Sequence, residues 1–94
     1  MGKYTELKIA GYVLYYTMKC LNEGIIHVHA NPQRMTEDSV AKLWVYKDGT
    51  SELAKPTNIK TADLREIQKW ICDNIDLIQA EWLSNGVGGD FKKK

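Results

Sequence analysis

The first half of the chain alternates short apolar runs with turn residues, a pattern that predicts β-strands. The runs are rich in Tyr, Ile, Leu, Val and Thr and lie at residues 5–10, 12–18, 25–30, 39–46 and 50–54. Gly11 separates the first two runs, and Asp48-Gly49 between the last two indicates a hairpin turn. Residues 12–18 are apolar on both faces, which is typical of a central strand. We therefore predict a small, mostly antiparallel sheet of four or five strands.

The second half predicts a long C-terminal helix over residues 62–84. Apolar residues recur there with helical spacing and form a narrow stripe: Leu64, Ile67, Ile71, Ile75, Ile78 and Trp82. Thr61 is the predicted N-cap, and Asn85-Gly86 supplies the stop. A stripe this narrow indicates a helix that lies on one face of the sheet. Together the two halves predict an α+β fold.

Several positions beside the stripe leave the helix open to two interpretations. Trp70 and Leu77 widen the stripe on one side, and the polar Asn74 and Glu81 fall between that flank and the stripe. In the first interpretation the helix is continuous, and both polar residues have a buried or cleft-facing role. In the second, a break near Asp73-Asn74 makes two helices, with Asn74 capping the second. Whether 62–84 is one helix or two stays open.

Length and charge bound the domain organisation and the partners. The chain has 94 residues and a formal net charge of +1, so we predict a single domain over 1–86 and a disordered Gly/Lys tail over 87–94. The balanced charge gives no global basic field, and the aromatic strand residues and Lys92-Lys93-Lys94 alone keep nucleic acid open as a partner. We find no run of about 18 apolar residues and no apolar leader, so we expect no membrane association and a cytoplasmic location.

One helix covers only one face of a sheet, so the expected second face stays open. Burial of that face against another chain is the economical solution. We therefore expect a homodimer or a complex with a small protein partner. The sequence does not identify that partner or its stoichiometry.

The tripeptide His27-Val28-His29 holds both histidines of the chain. Residues i and i+2 of a strand lie on the same face, so the two imidazoles are expected side by side. This concentrates the side chains that titrate near neutral pH at one place. Any activity based on acid/base or metal chemistry is therefore expected there.

The histidine pair admits four interpretations. As zinc ligands His27 and His29 supply two nitrogens, and Cys20, Glu23, Glu81 or a partner chain would complete the shell; otherwise no cofactor is expected. As general acid and base they would serve RNA cleavage, with Lys42 or Arg34 stabilising phosphate charge and Glu81 as orienter. As a structural pair they would be hydrogen-bonded and face Trp44, Tyr15 or Glu81. A contact in an interface is the fourth interpretation.

Four segments resemble a known prokaryotic family, the domain of unknown function 4160. These segments are residues 11–16, residues 26–30 with His-Val-His, residues 41–44 with Lys-Leu-Trp, and residues 64–82 with Asn74 inside. The resemblance covers about residues 7 to 84. It departs from the family pattern at Ile25-Ile26, where members typically carry prolines, and in the longer loop at 31–38.

The resemblance implies little about chemistry, because the family has no assigned activity. Genes of its members often lie beside a second small family, in arrangements of the toxin–antitoxin or mobile-element type. This implies a cytoplasmic protein-interaction module with a small partner protein. The alternative is a small histidine-dependent ribonuclease or metal-dependent hydrolase that uses His27 and His29.

Overall fold

The computed structural model describes residues 2–17, 19, 23–33, 35–36, 38–84 and 89–93. Five strands form one antiparallel sheet in chain order: β1 (Gly2–Lys3), β2 (Val13–Tyr16), β3 (His27–Asn31), β4 (Ala41–Val45) and β5 (Ser51–Leu53). Two helices follow, α1 (Thr61–Asp73) and α2 (Ile75–Ser84). The α+β class and the antiparallel sheet are confirmed. Neither helix is long and apolar enough to cross a membrane, within the described part of the chain.

The first hairpin has its predicted turn but a different first strand. Ala10 and Gly11 adopt positive φ angles of 53° and 86°, and Ile9 and Tyr12 exchange two backbone hydrogen bonds of 2.9 Å across them. The strand predicted at 5–10 is wrong, because β1 comprises only Gly2–Lys3. Thr5 Oγ1 accepts a hydrogen bond from the Leu7 amide at 3.2 Å, and this local turn competes with strand pairing.

The helix is divided at Asn74, so the prediction of one continuous helix is wrong and the predicted break is confirmed. Asn74 Nδ2 donates to the Trp70 carbonyl at 2.9 Å, and the Asn74 amide donates to the Ile71 carbonyl at 3.2 Å. The side chain therefore caps the end of α1 instead of the start of α2. At the other end the N-cap is Lys60, not Thr61, and no side chain caps it.

A single apolar core joins the two helices to one face of the sheet, here called the inner face. Four residues of the predicted stripe are fully buried in it: Ile67, Ile71, Ile78 and Trp82. Leu64 and Ile75 pack against this core and are partly buried. The strands contribute alternate residues to the core: Leu14, Tyr16, Val28, Ala30, Ala41, Leu43 and Val45. Helical and strand periodicity thus predicted many of the side chains that form the core between the helices and the inner face of the sheet.

The opposite face of the sheet, here called the outer face, differs from the open surface that we expected. Tyr15 is fully buried, and Val13 and Asn31 are 8% and 7% exposed. The loop after β3 contributes to this cover, since the Tyr15 hydroxyl donates to the Thr36 carbonyl at 2.6 Å. Asn31 Oδ1 accepts from the Val40 amide at 2.9 Å and fixes the other end of the loop. Loop contacts within one chain therefore bury part of the surface that we assigned to a second chain.

Residues 89–93, here called the C-terminal strap, lie within the segment predicted as a disordered tail and pair with the ends of β3 and β4. The Asp90 amide donates to the Gly24 carbonyl at 3.0 Å, and the Ile26 amide donates to the Asp90 carbonyl at 2.9 Å. The Lys92 amide donates to the Val45 carbonyl at 2.9 Å. Backbone bonds to the β3 and β4 ends thus place a Gly/Lys-rich segment that has little apolar content of its own. The remaining tail residues 87, 88 and 94, and the stop at residues 85–86, lie outside the described residues.

The helix stripe gives a stability prediction with an internal gradation. Ile71→Ala should lower the free energy of unfolding by about 2–4 kcal/mol, because it leaves a cavity at a fully buried position. Ile75→Ala should cost less, because Ile75 is only partly buried. Lys69→Ala, on the exposed side, should stay within about 0.5 kcal/mol. Urea unfolding followed by circular dichroism measures all three, and equal losses would contradict the packing of α1.

Candidate functional site

Strand register brings the predicted site residues of β3 and β4 together on the outer face. His29 lies opposite Tyr15 of β2 and Lys42 of β4, and His27 lies opposite Trp44. Directly opposed residues of antiparallel strands share a face, so these five side chains form one patch. The patch contains both histidines, as the i and i+2 spacing predicted.

His29 is held between an aromatic ring and a hydroxyl group. Its ring stacks on Tyr15 with centroids 5.3 Å apart and an interplanar angle of 20°. Its Nδ1 lies 2.7 Å from Ser39 Oγ, within hydrogen-bond distance. Only 3% of the residue is exposed. Both contacts fix the orientation of the imidazole and keep it away from solvent.

His27 lies at the centre of an aromatic cluster and is fully buried. Its ring meets those of His29, Trp44 and Trp82 nearly edge-on, with centroids 5.2, 5.2 and 5.8 Å apart. Nδ1 lies 2.8 Å from the Ile25 carbonyl, and since a carbonyl only accepts, Nδ1 carries the proton in this bond. His27 thus connects β3, β4 and α2 through ring contacts.

Lys42 shares the outer face with the histidines, but its ammonium group contacts other side chains. Its Nζ lies 3.6 Å from Glu23 Oε2 and 4.6 Å from the centre of the Trp44 ring. Lys92 Nζ lies 5.0 Å from the same ring. Two ammonium groups are therefore close to Trp44, which is half-buried. Arg34, the other predicted phosphate-binding side chain, lies outside the described residues.

Glu81, a candidate orienter or metal ligand, belongs to the inner side of the sheet. Its Oε2 accepts a hydrogen bond from the Tyr16 hydroxyl at 3.0 Å. Tyr16 faces the core, and Trp82, the neighbour of Glu81 in α2, contacts both the Tyr16 and the His27 rings. Glu23 instead pairs with Lys42, and Cys20 lies outside the described residues.

Metal binding and acid/base chemistry depend on the same two features, the side chains near the histidines and the access of solvent to their rings. Among the described residues no group of three or more His, Cys, Asp and Glu side chains is arranged to hold a metal ion. Surface hollows of about 590 and 520 Å³ are lined by other residues than the histidines. The side chains of Tyr15, Trp44 and Trp82 cover the two histidine rings. A substrate would reach them only after this cover opens, and both chemical interpretations stay predictions.

A buried polar chain joins the histidine patch to α2, and the sequence did not reveal it. Trp82 Nε1 donates to the Tyr4 hydroxyl at 2.6 Å, and this hydroxyl donates to the His27 carbonyl at 2.8 Å. The partners lie up to 78 positions apart in the chain. Tyr4 precedes the first predicted strand, and its position offered no signal of this role.

Two side chains among the described residues have a shifted pKa: the hydrogen bond to Asp73 raises the pKa of Lys69 on α1, and Tyr46 lies beside the patch at the end of β4. The Tyr46 hydroxyl donates to Glu52 Oε2. This hydrogen bond to a carboxylate holds the phenolic proton and, with partial burial, raises the pKa of Tyr46 above its ordinary value. The pair is a cross-strand contact of the β4–β5 hairpin. It strengthens the hairpin and does not prepare a base for chemistry near pH 7.

The outer side of α2 carries an apolar surface that we had assigned in part to the core. Leu77 is 40% exposed and Leu83 is 60% exposed, and Ala80 between them is exposed as well. Their i, i+3 and i+6 spacing places them in one row on the side opposite Ile78 and Trp82. This row, here called the outer stripe, corrects the prediction that Leu77 widens the buried face. Its spacing in the sequence was the signal that could have revealed it.

Comparison with known proteins supplies a family and nothing more specific. The model of the family described as domain of unknown function (DUF4160) matches residues 11–83. No curated protein and no solved structure matches the chain significantly. The matched range includes the histidine strand, β4 and both helices up to the end of the outer stripe.

Proposed function

The chain belongs to the domain of unknown function 4160 family, and from that premise we propose that it is a protein-interaction module that binds a small partner protein through α2. The observation that carries this proposal is the outer stripe. Leu77, Ala80 and Leu83 form a row of exposed apolar side chains on a helix whose opposite side is already buried in the core.

The composition of α2 supports an interface on its outer side. Six of its ten residues are apolar, and its charged residues are Asp76 and Glu81. A helix that is apolar around most of its circumference is usually buried on most of it. In this chain the core covers only Ile78 and Trp82 fully, so a partner would bury the remaining apolar surface.

The packing of the histidine patch favours binding over catalysis. His27 and His29 are used as buried rings that connect strands and α2, and they support the interaction surface from within. Because Trp82 and Leu83 are neighbours in α2, the cluster around His27 helps to position the outer stripe. We propose a cytoplasmic, prokaryotic setting and a gene pair of the toxin–antitoxin or mobile-element type for this module.

The test places charges on the outer stripe. The double variant Leu77→Lys/Leu83→Lys should fold like the wild type, because both side chains are exposed, and should lose the partner, because an ammonium group is costly to bury in an apolar contact. The measurement is tagged co-purification from native cells, with the recovered partner quantified by mass spectrometry against the bait.

The matched control adds the same two charges elsewhere. Asn58→Lys/Ala62→Lys changes two exposed residues near the start of α1 and should retain the partner at the wild-type ratio. A stoichiometric protein that is lost with the stripe variant alone supports the proposal. Recovery of the same protein with both variants, or of none with the wild type, would contradict it.

One observation supports the alternative function, a histidine-dependent ribonuclease or metal-dependent hydrolase. The register places His27, His29 and Lys42 on one face, as such a site requires. Chemistry there would need the cover of Tyr15 and Trp44 to open to the substrate. Histidine variants test this alternative directly.

A further inference from the structure

Two carboxylates lie beside the outer stripe, one on each side of it. Asp76 precedes Ala80 by one helical turn, and Glu81 follows Leu77 by one turn, so each carboxylate is a surface neighbour of the stripe. Asp76 is exposed, and Glu81 is half-buried with its Oε2 bound to the Tyr16 hydroxyl. Because α2 contains these two acidic residues and no lysine or arginine, its formal charge is −2.

This negative charge is local to the end of the helical segment. Residues 70–84 include three acidic residues and no basic one, although the whole chain has a net charge of +1. Of the three, Asp73 belongs to α1 and pairs with the Lys69 ammonium group at 2.7 Å, whereas the other two flank the outer stripe. The last turn of α2 has no basic residue, so the negative end of the helix dipole adds to their charge.

The geometry of the outer stripe fits a second helix. Side chains at i, i+3 and i+6 form one of the ridges by which α-helices pack against each other. Such a ridge lies in the groove between two i±4n ridges of another helix, with the axes inclined by about 20°. A ridge is convex and does not enclose a small molecule. The shape therefore favours a partner helix whose apolar residues recur at i and i+4.

The flanking charges discriminate between classes of partner. If α2 packed on α2 of a second copy, each helix would bring its own carboxylates against those of the other, and like charges in contact are destabilising. Phosphate groups of a nucleic acid or of an anionic membrane surface would meet the same repulsion. Lysine or arginine side chains beside the apolar row of a partner helix would be attracted, as at the flanking positions of a coiled coil.

We propose that the partner binds the outer stripe with a cationic amphipathic helix, in which lysine or arginine residues flank an apolar row. This inference rests on the function proposed above and adds the chemistry of the partner. Apolar contact with the outer stripe supplies most of the affinity. Ion pairs with Asp76 and Glu81 select the charge of the partner and set the register of the two helices.

The first experiment measures the selectivity with two synthetic peptides of about 18 residues, long enough to form a helix. Both carry the same leucine row at i and i+4, and their flanking residues are lysine in one and glutamate in the other. In about 50 mM salt, fluorescence anisotropy should show that the wild type binds the lysine peptide at least about fivefold more tightly. The difference should shrink in about 500 mM salt, because salt screens exposed charges. Equal binding of both peptides, or no binding of the lysine peptide, overturns the inference.

The second experiment assigns the selectivity to α2. Asp76→Asn/Glu81→Gln removes both charges and keeps oxygen acceptors, so the preference for the lysine peptide should fall below about twofold. The matched control Asp38→Asn/Glu66→Gln removes one Asp and one Glu at exposed positions elsewhere and should keep the wild-type preference. Circular dichroism verifies that both variants fold. A preference that both variants keep, or that both lose, overturns the role of the α2 carboxylates.

The proposed function and this inference can fail separately. Co-purification with Leu77→Lys/Leu83→Lys tests the outer stripe without any assumption about the charge of the partner. If that variant loses the partner and the two peptides bind equally, the proposed function stands and the cationic helix is wrong. If the lysine peptide is preferred and no partner depends on the outer stripe, the proposed function is wrong and the charge selectivity of α2 is supported. A wild-type dimer at about 0.1 mM in light scattering that Leu77→Lys/Leu83→Lys dissociates would identify a second copy as the occupant and overturn the cationic helix.

Discussion

Replacement of Trp82 by alanine is expected to lower the free energy of unfolding by about 3–5 kcal/mol, a large part of the stability of so small a domain. Trp82 is fully buried, and its ring contacts those of Tyr16 and His27. Its Nε1–H donates to the Tyr4 hydroxyl at 2.6 Å. The substitution therefore removes core volume and the start of the polar chain together.

Two further variants separate these contributions. Trp82→Phe keeps an aromatic ring and removes the donor, so we expect a smaller loss of about 1–3 kcal/mol from the unsatisfied Tyr4 environment. Leu83→Ala, at the neighbouring position that is 60% exposed, should change stability by about 0.5 kcal/mol or less. Urea denaturation monitored by circular dichroism measures all three. Coincident transitions for Trp82→Ala and Leu83→Ala would show that α2 is not packed as described.

The double variant His27→Gln/His29→Gln is expected to fold with a loss of stability on the order of 3 kcal/mol. It removes four ring contacts and the contacts of Nδ1 with Ile25 and Ser39, while it keeps polarity and approximate size. Lys47→Gln, at an exposed residue, is the control and should behave as the wild type. Thermal and urea unfolding measure the difference.

The same variant distinguishes a binding role of the protein from a catalytic or metal-binding role of its histidines. We expect weaker retention of the native partner, because the His27 cluster supports α2, and the same RNA cleavage and zinc content as the wild type. Labelled RNA and metal analysis after dialysis are the measurements. Wild-type protein that cleaves RNA or keeps stoichiometric zinc, with either property absent from the folded variant, would replace our proposal with the enzyme alternative.

Much of the inner half of the fold could be predicted because it depends on local periodicity. Helical spacing placed Ile67, Ile71, Ile78 and Trp82 in the core, and strand alternation placed His27 and His29 together on the face opposite Val28. These patterns reflect backbone geometry, which each segment carries alone. The same periodicity placed Leu77 at the edge of the buried stripe, whereas in the structure it is 40% exposed, on the side of α2 away from Ile78 and Trp82.

The sequence predicted where the candidate site lies, but it did not predict all of the side chains that surround the histidines. Sequence spacing indicated that any chemistry must centre on the histidine pair, and register then brought Lys42 beside His29. Tyr15 and Trp44 were among the neighbours expected for a structural pair, but the sequence could not show that Ser39 would contact His29 or that Trp82 would contact His27. These contacts join segments distant in sequence, and periodicity within one segment contains no information about them.

What the sequence determined by itself was the α+β class, the phase of β2, β3 and β4 and the stripe that binds the helices to the sheet, since these follow from side-chain alternation and helical repeat. Tertiary structure alone decided the accessibility of the histidines, the hydrogen bond of Glu81 with Tyr16 and the attachment of the strap. Burial depends on which loops fold over a face, and Asp90 pairs with Ile25 from 65 positions away. Such long-range contacts form only when the whole chain packs, so no single segment of the sequence encodes them.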